Sequence, residues 1–394
     1  MTPHAGQTIA RVPPLKVLHY SPLDYGMTGV ESFVLQLTAG QKRLGLDPVI
    51  TIPISDRQEL VRTAAAAGVP VADFPARVSL GLGKLNTLIN SVRRVRHLVR
   101  LLQGCTALHM HSAGFVGLEA MLAAYLVGTP KIVVTHHATV SSAKPFGGRM
   151  ASLTRRVQAR LATASVMPYE DAAQELAQEG LPAERVKAVP YCIDEVRFAG
   201  ENVPPEPDEP MRLIMVARLF PGKGHEVLLN ALALLKQRGC RVSVVMVGHG
   251  DQRPLLQKQI QDLDIADMAE LREHVNHSEI PAMLQASHAI VLPSFMRGET
   301  FPLSLLEGQL VGLPAIATRW YGIPSIVEDG KTGFLVEPRS EESLADAIQR
   351  LDRDRVLYAQ MRSAARMRAR ERYTAQAVAR TYAQLYGLSL AAGA

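Results

Sequence analysis

Cysteine is scarce: Cys105, Cys192 and Cys240 stand far apart in 394 residues, with no Cys-x-x-Cys pair. That argues against a disulfide framework and a structural zinc site, and the three thiols are expected to be reduced and partly buried. Long apolar runs are missing as well. The longest, such as LIMVA (213–217) and VSVVMVG (242–248), are of strand length, well short of the roughly 20 residues that cross a membrane as a helix. The opening MTPHAGQTIARVPPLKVLHY holds no apolar leader core and runs straight into a strand-like segment, so a cytoplasmic location is expected. With 47% hydrophobic and 20% charged residues, no tract is polar enough to predict long disorder. A complete G-x-G-x-x-G is also lacking. VGHGDQR (247–253) has Gly248 and Gly250 but Arg253 in the third place, and no suitably placed acidic residue follows. Both gaps count against a nicotinamide dehydrogenase.

The charge that is present is unevenly spread. Of a net +6, residues 1–200 carry 21 Lys and Arg against 14 Asp and Glu, while residues 201–394 carry 22 against 23. A basic first half suits an anionic partner: a phosphorylated ligand, an anionic lipid or a nucleic acid.

A chain of 394 residues exceeds the roughly 250–300 at which one core stops growing, so two domains are expected. Strand-like runs (15–21, 47–54, 107–112, 131–137, 164–168) alternate with helical stretches near 29–45 and 113–127. The proline-rich, acidic AGENVPPEPDEP (199–210) breaks this pattern, and the alternation then restarts with MRLIMVARL. That order implies two α/β domains with parallel sheets, joined by a linker. Ligands of such sheets lie beyond the carboxyl ends of the strands, so function is sought in the loops that follow them. A last helix over 372–390 places Val378, Tyr382, Leu385 and Tyr386 on one face, which must pack on something.

In PSFMRGETFPLSLLEGQLVGLPAIAT (293–318), Glu299 and Glu307 lie eight positions apart. Thr300 is an acceptable N-cap, Pro302 suits a first turn, and Gly312 with Pro314 stops the helix. Glu299 therefore falls just before a helix and Glu307 in its second turn. Leu303, Leu305, Leu306 and Leu310 make that helix largely buried, which leaves Glu307 the cleft or a neighbouring helix end to face. The plainer alternative is one carboxylate favoured by a helix N-terminus and one that is solvated. VARLFPGKGHE puts Arg218 and Lys223, with Gly222 and Gly224 around the lysine, on a loop that opens a helix. This is either an anion site of cations and backbone N–H groups or a solvated basic loop. SPLDYGMTGVES (21–32) offers amides to a phosphate, or only a loop ending in an N-cap at Thr28. HMH (109–111) and THH (135–137) each end a strand. Without a clear further ligand, and with neighbouring side chains on opposite faces, one hydrogen-bonding His per loop is favoured over a metal centre.

Together these loops resemble the family 4 glycosyltransferases of GT-B fold over nearly the whole chain. The family's Glu, seven residues, Glu motif appears as Glu299 to Glu307, followed by GLPAIAT and GIPSIVEDGKTGFLVEP. Its Arg and Lys-Gly elements match Arg218, Lys223 and Gly224, and PAERVKAVPYCIDEVRF (182–198) looks like its stretch entering the linker. The resemblance implies two doubly wound Rossmann-like domains facing across a cleft. Residues 1–198 would form the acceptor domain, 199–210 the linker, 211–371 the nucleotide-sugar domain, and 372–394 a helix returning to the first domain. It further implies a retaining, metal-independent hexosyltransferase that moves a sugar from a nucleotide diphosphate-sugar to a lipid-linked or saccharide acceptor. Lipopolysaccharide or exopolysaccharide synthesis is the expected setting, with no cofactor beyond the donor and no nucleic acid partner. Carried over position by position, Arg218 and Lys223 neutralise the leaving diphosphate, Glu299 faces the donor sugar and Glu307 holds the ribose hydroxyls. His137, with His136 as the alternative, bonds the sugar, and Gly29, Gly248, Gly250, Thr300, Phe301 and Leu303 line the donor. The sequence departs from the family at Pro302, often Gly, at YCID (191–194) for the usual Asn-Gly-Ile-Asp, at Ser325 for a frequent Glu, and in the spacing of Gly26 and Gly29. A silent carbohydrate-binding relative would need a broken motif, and Glu299, Glu307, Arg218 and Lys223 are all intact.

KLNTLINSVRRVRHLVRLL (84–102) has Leu85, Leu88, Ile89, Val92, Val95, Val99 and Leu102 at helical spacing, with Arg93, Arg94, Arg96, His97 and Arg100 around them. It reads as an ordinary domain helix with a basic face, or as a peripheral contact with anionic membrane that would bring the enzyme to a lipid-linked acceptor.

Overall fold

The computed structural model describes residues 15–21, 29–52, 58–75, 84–112, 117–137, 157–158, 160–201 and 209–388. Most of the expected linker, and Gly26 and Thr28 of the first loop, lie outside the described residues. Apolar runs covered on both faces become parallel strands, and the stretches between them become crossover helices. In the first half these are β1 (Lys16–Tyr20), α1 (Gly29–Arg43), β2 (Asp47–Ile52), α2 (Gln58–Ala66), β3 (Val71–Asp73), α3 (Lys84–Leu102), β4 (Ala107–Ser112), α4 (Leu118–Val127), β5 (Lys131–His136), β6 (Ala164–Met167), α5 (Glu170–Gln178) and β7 (Val186–Ala188). The second half comprises β8 (Met211–Val216), α6 (His225–Gln237), β9 (Val242–Val247), α7 (Arg253–Asp262), β10 (Ala269–Arg272), α8 (Ile280–Gln285), β11 (Ala289–Leu292), α9 (Leu303–Val311), β12 (Ala315–Thr318), α10 (Ile323–Ile326), β13 (Gly333–Val336), α11 (Glu341–Arg353), α12 (Arg355–Arg372) and α13 (Ala375–Leu385).

The first sheet runs β3-β2-β1-β4-β5-β6-β7 and the second β10-β9-β8-β11-β12-β13, with every pair parallel. Strand order reverses beside β1 in one and beside β8 in the other, and a crevice opens at each reversal, outside the carboxyl ends of the strands. The short strands β3, β7 and β10 escape a reading of apolar runs. Their sequences VAD, VKA and AELR are half exposed and become strands because a neighbour supplies the hydrogen bonds.

The chain crosses between the halves a second time near its C-terminus. α12 packs on α9 of the second domain. At the crossing, the Ile193 N–H donates to the Tyr373 carbonyl at 2.7 Å and the Ala375 N–H donates to the Ile193 carbonyl at 2.8 Å. Thr374 then caps α13 by accepting the Ala377 N–H. α13 lies along α1 so closely that a Cβ on Gly40 would stand 2.3 Å from the Ala375 carbonyl oxygen. A side chain there would force the helices apart. Val378, Tyr382 and Tyr386 are buried in this contact.

α3 departs from its expected apolar stripe. Leu98 and Leu102 are buried, but Leu85, Leu88 and Val92 are exposed, because only the C-terminal half of the helix covers the core. Arg94 is also not on the outer basic face. It turns inward, over the Phe74 ring at 5.1 Å and 3.6 Å from Glu119 of α4, while Arg93, Arg96 and Arg100 stay exposed. Among the described residues, no helix is long and apolar enough to cross a membrane.

Candidate active site

Three loops that follow strands of the second sheet meet at one place. The loop after β8 carries Arg218 and Lys223, and the loop after β9 runs against it backbone to backbone. A Cβ on Gly248 would lie 2.0 Å from the Ala217 carbonyl oxygen, and one on Gly250 2.4 Å from that of Leu219. These two glycines are therefore required by the packing of one loop on the other. Gly224, left-handed at φ 85°, precedes α6, and a Cβ there would be 2.1 Å from the Pro293 carbonyl oxygen. That close approach holds Lys223 beside the loop after β11.

There Lys223 Nζ lies 2.7 Å from Glu299 Oε2, with both side chains nearly covered. The Ser294 hydroxyl donates to the same carboxylate oxygen at 2.6 Å. Burying a carboxylate this deeply is costly without such partners. Arg218 is exposed beside this pair on the same loop, its guanidinium over the Phe220 ring at 4.6 Å, and among the described residues it makes no ion pair. Neither α6 nor α9 has a side-chain N-cap. Their first-turn N–H groups thus add positive potential near the pair.

Thr300 does not cap α9, contrary to the expectation from sequence. The N-cap position is Pro302, with φ −67° and ψ 114°, because proline holds the residue before it extended and delays the helix. The Thr300 hydroxyl instead lies 3.0 Å from the Gly298 carbonyl and 3.3 Å from that of His137, across the cleft. Phe301 meets the Tyr191 ring edge-on at 5.6 Å. Leu303 faces the start of α1, where a Cβ on Gly29 would lie 4.0 Å from its Cδ1. So His137 and Gly29 of the first domain come to the same side of the cleft as Thr300, Phe301 and Leu303 of the second.

His137 is buried, with Nε2 3.3 Å from His111 Nδ1 and Nδ1 2.6 Å from the Tyr191 hydroxyl. Both ring nitrogens are thus engaged within the protein, and a sugar hydroxyl would have to replace one of these bonds. His136, the alternative, is buried next to it. Glu307 is buried in α9, and burial pushes its carboxyl from 4.5 up to about 7 against the opposing pull of Arg197. Arg197 also donates to the His277 carbonyl and lines a cavity of about 720 Å³ with Gln36, Arg43, Asp194 and Asn276. Glu307, Lys223 and Glu299 are not among the residues that line it.

Sequence reading did not single out Ser294, Tyr191 or Arg197. Ser294 had a usable signal, as a hydroxyl two residues past a buried strand. Tyr191 and Arg197 reach the site only through the fold.

Two doubly wound domains with facing strand ends are the GT-B architecture. Residues 28–192 match the family model described as a glycosyl transferase 4-like domain, and residues 198–368 that of glycosyl transferases group 1. The chain belongs to the family 4 glycosyltransferases and is a glycosyltransferase. It is 27% identical to alpha-D-kanosaminyltransferase of Streptomyces kanamyceticus, over 73% of this chain and 79% of that protein. It is 31% identical to the putative colanic acid biosynthesis glycosyltransferase WcaL of Escherichia coli, over 48% of each chain. The crystal structure of Anabaena Alr3699/HepE in complex with UDP shares the fold, with a TM-score of 0.75 and 20% identity over 95% of this chain and all of that one.

The raised Glu307 carboxyl has a consequence for stability. Because its folded value lies above its unfolded one, its contribution is present below about pH 4.5 and lost as pH rises through about 7. Glu307→Gln carries no such loss. The melting temperature of this variant minus that of wild type is expected to grow more positive over that interval in a pH series of thermal melts, and a constant difference would contradict the burial assigned to Glu307.

Proposed function

We propose that this glycosyltransferase moves a sugar from a nucleoside diphosphate-sugar to an acceptor hydroxyl with retention at the anomeric carbon, in the assembly of a lipopolysaccharide or exopolysaccharide. The observation that carries this reading is the covered Lys223–Glu299 pair, with exposed Arg218 on the same loop and two helix starts without side-chain caps beside it. As the donor's glycosidic bond breaks, negative charge collects on the departing diphosphate. Lys223 and Arg218 neutralise it together with the N–H groups of α6 and α9, without a metal ion. Preorganised donors of this kind are worth about 10²–10³ in rate each.

When Lys223 turns to the diphosphate, Glu299 is released to the donor sugar, with Ser294 still donating to the Oε2 that Lys223 leaves. Glu307 accepts the ribose hydroxyls in its ionised form. Retention follows a front-face course in which the departing phosphate oxygen helps the acceptor lose its proton, so no protein nucleophile is required. HepE with bound UDP supports a nucleoside diphosphate donor. WcaL and the amylovoran glycosyltransferase AmsK of Erwinia amylovora support a polysaccharide pathway.

Thermal melts with UDP, GDP and ADP test the diphosphate site. One of them at 100 times its Kd should stabilise wild type by about 2.7 kcal/mol, and the shift should vanish in Lys223→Ala. Glu307→Ala should weaken nucleotide binding, whereas Glu299→Ala should chiefly lower turnover. No shift with any diphosphate, or equal loss of nucleotide affinity in both glutamate variants, would reject this division of labour.

We also propose that the first domain rests on anionic membrane while it works on a lipid-linked acceptor at the cytoplasmic face. α3 and α4 pack side by side and leave Leu88, Val92, Leu122, Tyr125 and Leu126 exposed, with Arg93, Arg96 and Arg100 on the same outer side of α3. Apolar side chains ringed by cations suit a negatively charged lipid surface, each arginine adding about 1 kcal/mol. Wild type should sediment with phosphatidylglycerol vesicles and not with phosphatidylcholine, and Arg96→Glu with Arg100→Glu should abolish this. Absence of wild-type binding to the anionic vesicles would refute the contact.

A further inference from the structure

Buried rings at the ends of β1, β4 and β5 form one continuous hydrogen-bonded chain. Gln41 Oε1 of α1 lies 2.8 Å from His19 Nε2, and His19 Nδ1 lies 3.0 Å from His111 Nε2. His111 Nδ1 lies 3.3 Å from His137 Nε2, and His137 Nδ1 lies 2.6 Å from the Tyr191 hydroxyl. A second branch leaves the same glutamine. Gln41 Nε2 donates to the Tyr386 hydroxyl oxygen at 3.0 Å, Tyr386 lies 2.7 Å from His109 Nδ1, and His109 Nε2 lies 2.8 Å from Thr135 Oγ1.

All four histidines are buried, and loss of hydration holds their rings neutral; His19 is lowered to about 4 and His137 to about 3. A neutral imidazole donates with one nitrogen and accepts with the other, so the direction of one bond sets the next. The Gln41 amide nitrogen is turned to Tyr386, and its oxygen therefore faces His19. His19 must then carry its proton on Nε2 and accept at Nδ1 from His111, which likewise accepts from His137, which accepts from the Tyr191 hydroxyl. On the other branch Tyr386 donates to His109 Nδ1, and His109 donates from Nε2 to Thr135. Every ring is in the Nε2–H form, the ordinary tautomer of a free histidine. Turning the amide over would require the opposite tautomer at all four. The nitrogens of His19, His109 and His111 fall within 4.8 Å of one another, but each already has a hydrogen-bond partner, so the cluster is better described as a relay than as a metal site.

We propose that Gln41 and Tyr386 are positioning residues for His137: through His19 and His111 they fix which of its nitrogens carries the proton. Tyr386 follows the last residue of α13, so the setting exists only while the C-terminal helix is seated on α1. The consequence at the cleft is specific. A ligand hydroxyl that displaces Tyr191 meets a bare Nδ1 and has to donate to it, so His137 selects a donor group. The role of His137 in turnover rests on the transferase reading; the tautomer itself does not.

Long-range proton–nitrogen spectra of the histidine rings at neutral pH read the proposal directly. In wild type, His19, His109, His111 and His137 should each show a protonated Nε2 and a bare Nδ1. Gln41 supplies the amide oxygen that accepts from His19 Nε2. Gln41→Met removes that acceptor and Tyr386→Phe frees the amide to turn. Either should give mixed tautomers at His137 and lower kcat on the order of tenfold, with nucleotide affinity unchanged. A protonated Nδ1 at His137 in wild type would overturn the proposal, as would an unaltered His137 signal in Gln41→Met. If Gln41→Met does not fold, Tyr386→Phe decides on the same readout. Because the spectra need no turnover, a wrong tautomer rejects the relay and leaves the transferase reading standing. A correct relay without sugar transfer does the reverse.

Discussion

A carboxylate sheltered from water must keep a cation or hydrogen-bond donors close to it, and the cleft is organised around that constraint at Glu299. Its partner Lys223 sits between two glycines, and Gly224 is the one whose missing Cβ lets its loop press against Pro293. Ser294, two residues past β11, donates to the same carboxylate oxygen. In the proposed reaction the lysine that balances Glu299 is also the cation that meets the diphosphate, and the two helix starts without side-chain caps add positive potential beside it. These groups are held by loops at the reversal point of the strand order between β8 and β11.

The second condition is that two domains stay in register. The backbone hydrogen bonds of Ile193 with Tyr373 and Ala375 tie the linker-proximal segment to the C-terminal crossing, and the Tyr373 hydroxyl donates to the Ser325 carbonyl at 3.0 Å. Thr300 reaches the His137 carbonyl from the other side. The histidine relay extends the same logic inward, since it places side chains of α1, β1, β4, β5 and α13 in a single hydrogen-bonded set whose far end stands at the cleft.

Much of the architecture is legible in the amino-acid order, because strands buried on both faces carry unbroken apolar runs such as LIMVA and VSVVMVG. Where local pattern is weak, reading stops. The strand VKA exists because β6 pairs with it. Pro302 shifts the start of α9 past Thr300, which propensity rules alone place at the cap. Arg94 is indistinguishable from Arg93 in sequence and is separated from it only by the position of Glu119 and Phe74. The motif cations and carboxylates stand out because charged residues in glycine-rich loops after strands are conspicuous. Gln41 and Tyr386, 345 positions apart in the chain, carry no local sign of their connection, and only the packing of α13 on α1 brings them together.

The proposed exchange of Glu299 for a diphosphate at Lys223 is tested most directly by calorimetric titration of wild type and Glu299→Gln with the nucleoside diphosphate that stabilises the protein. Loss of the competing carboxylate should tighten diphosphate binding in the variant even as sugar transfer fails. Weaker binding in Glu299→Gln would show that the pair does not open to the leaving group, and would contradict the account.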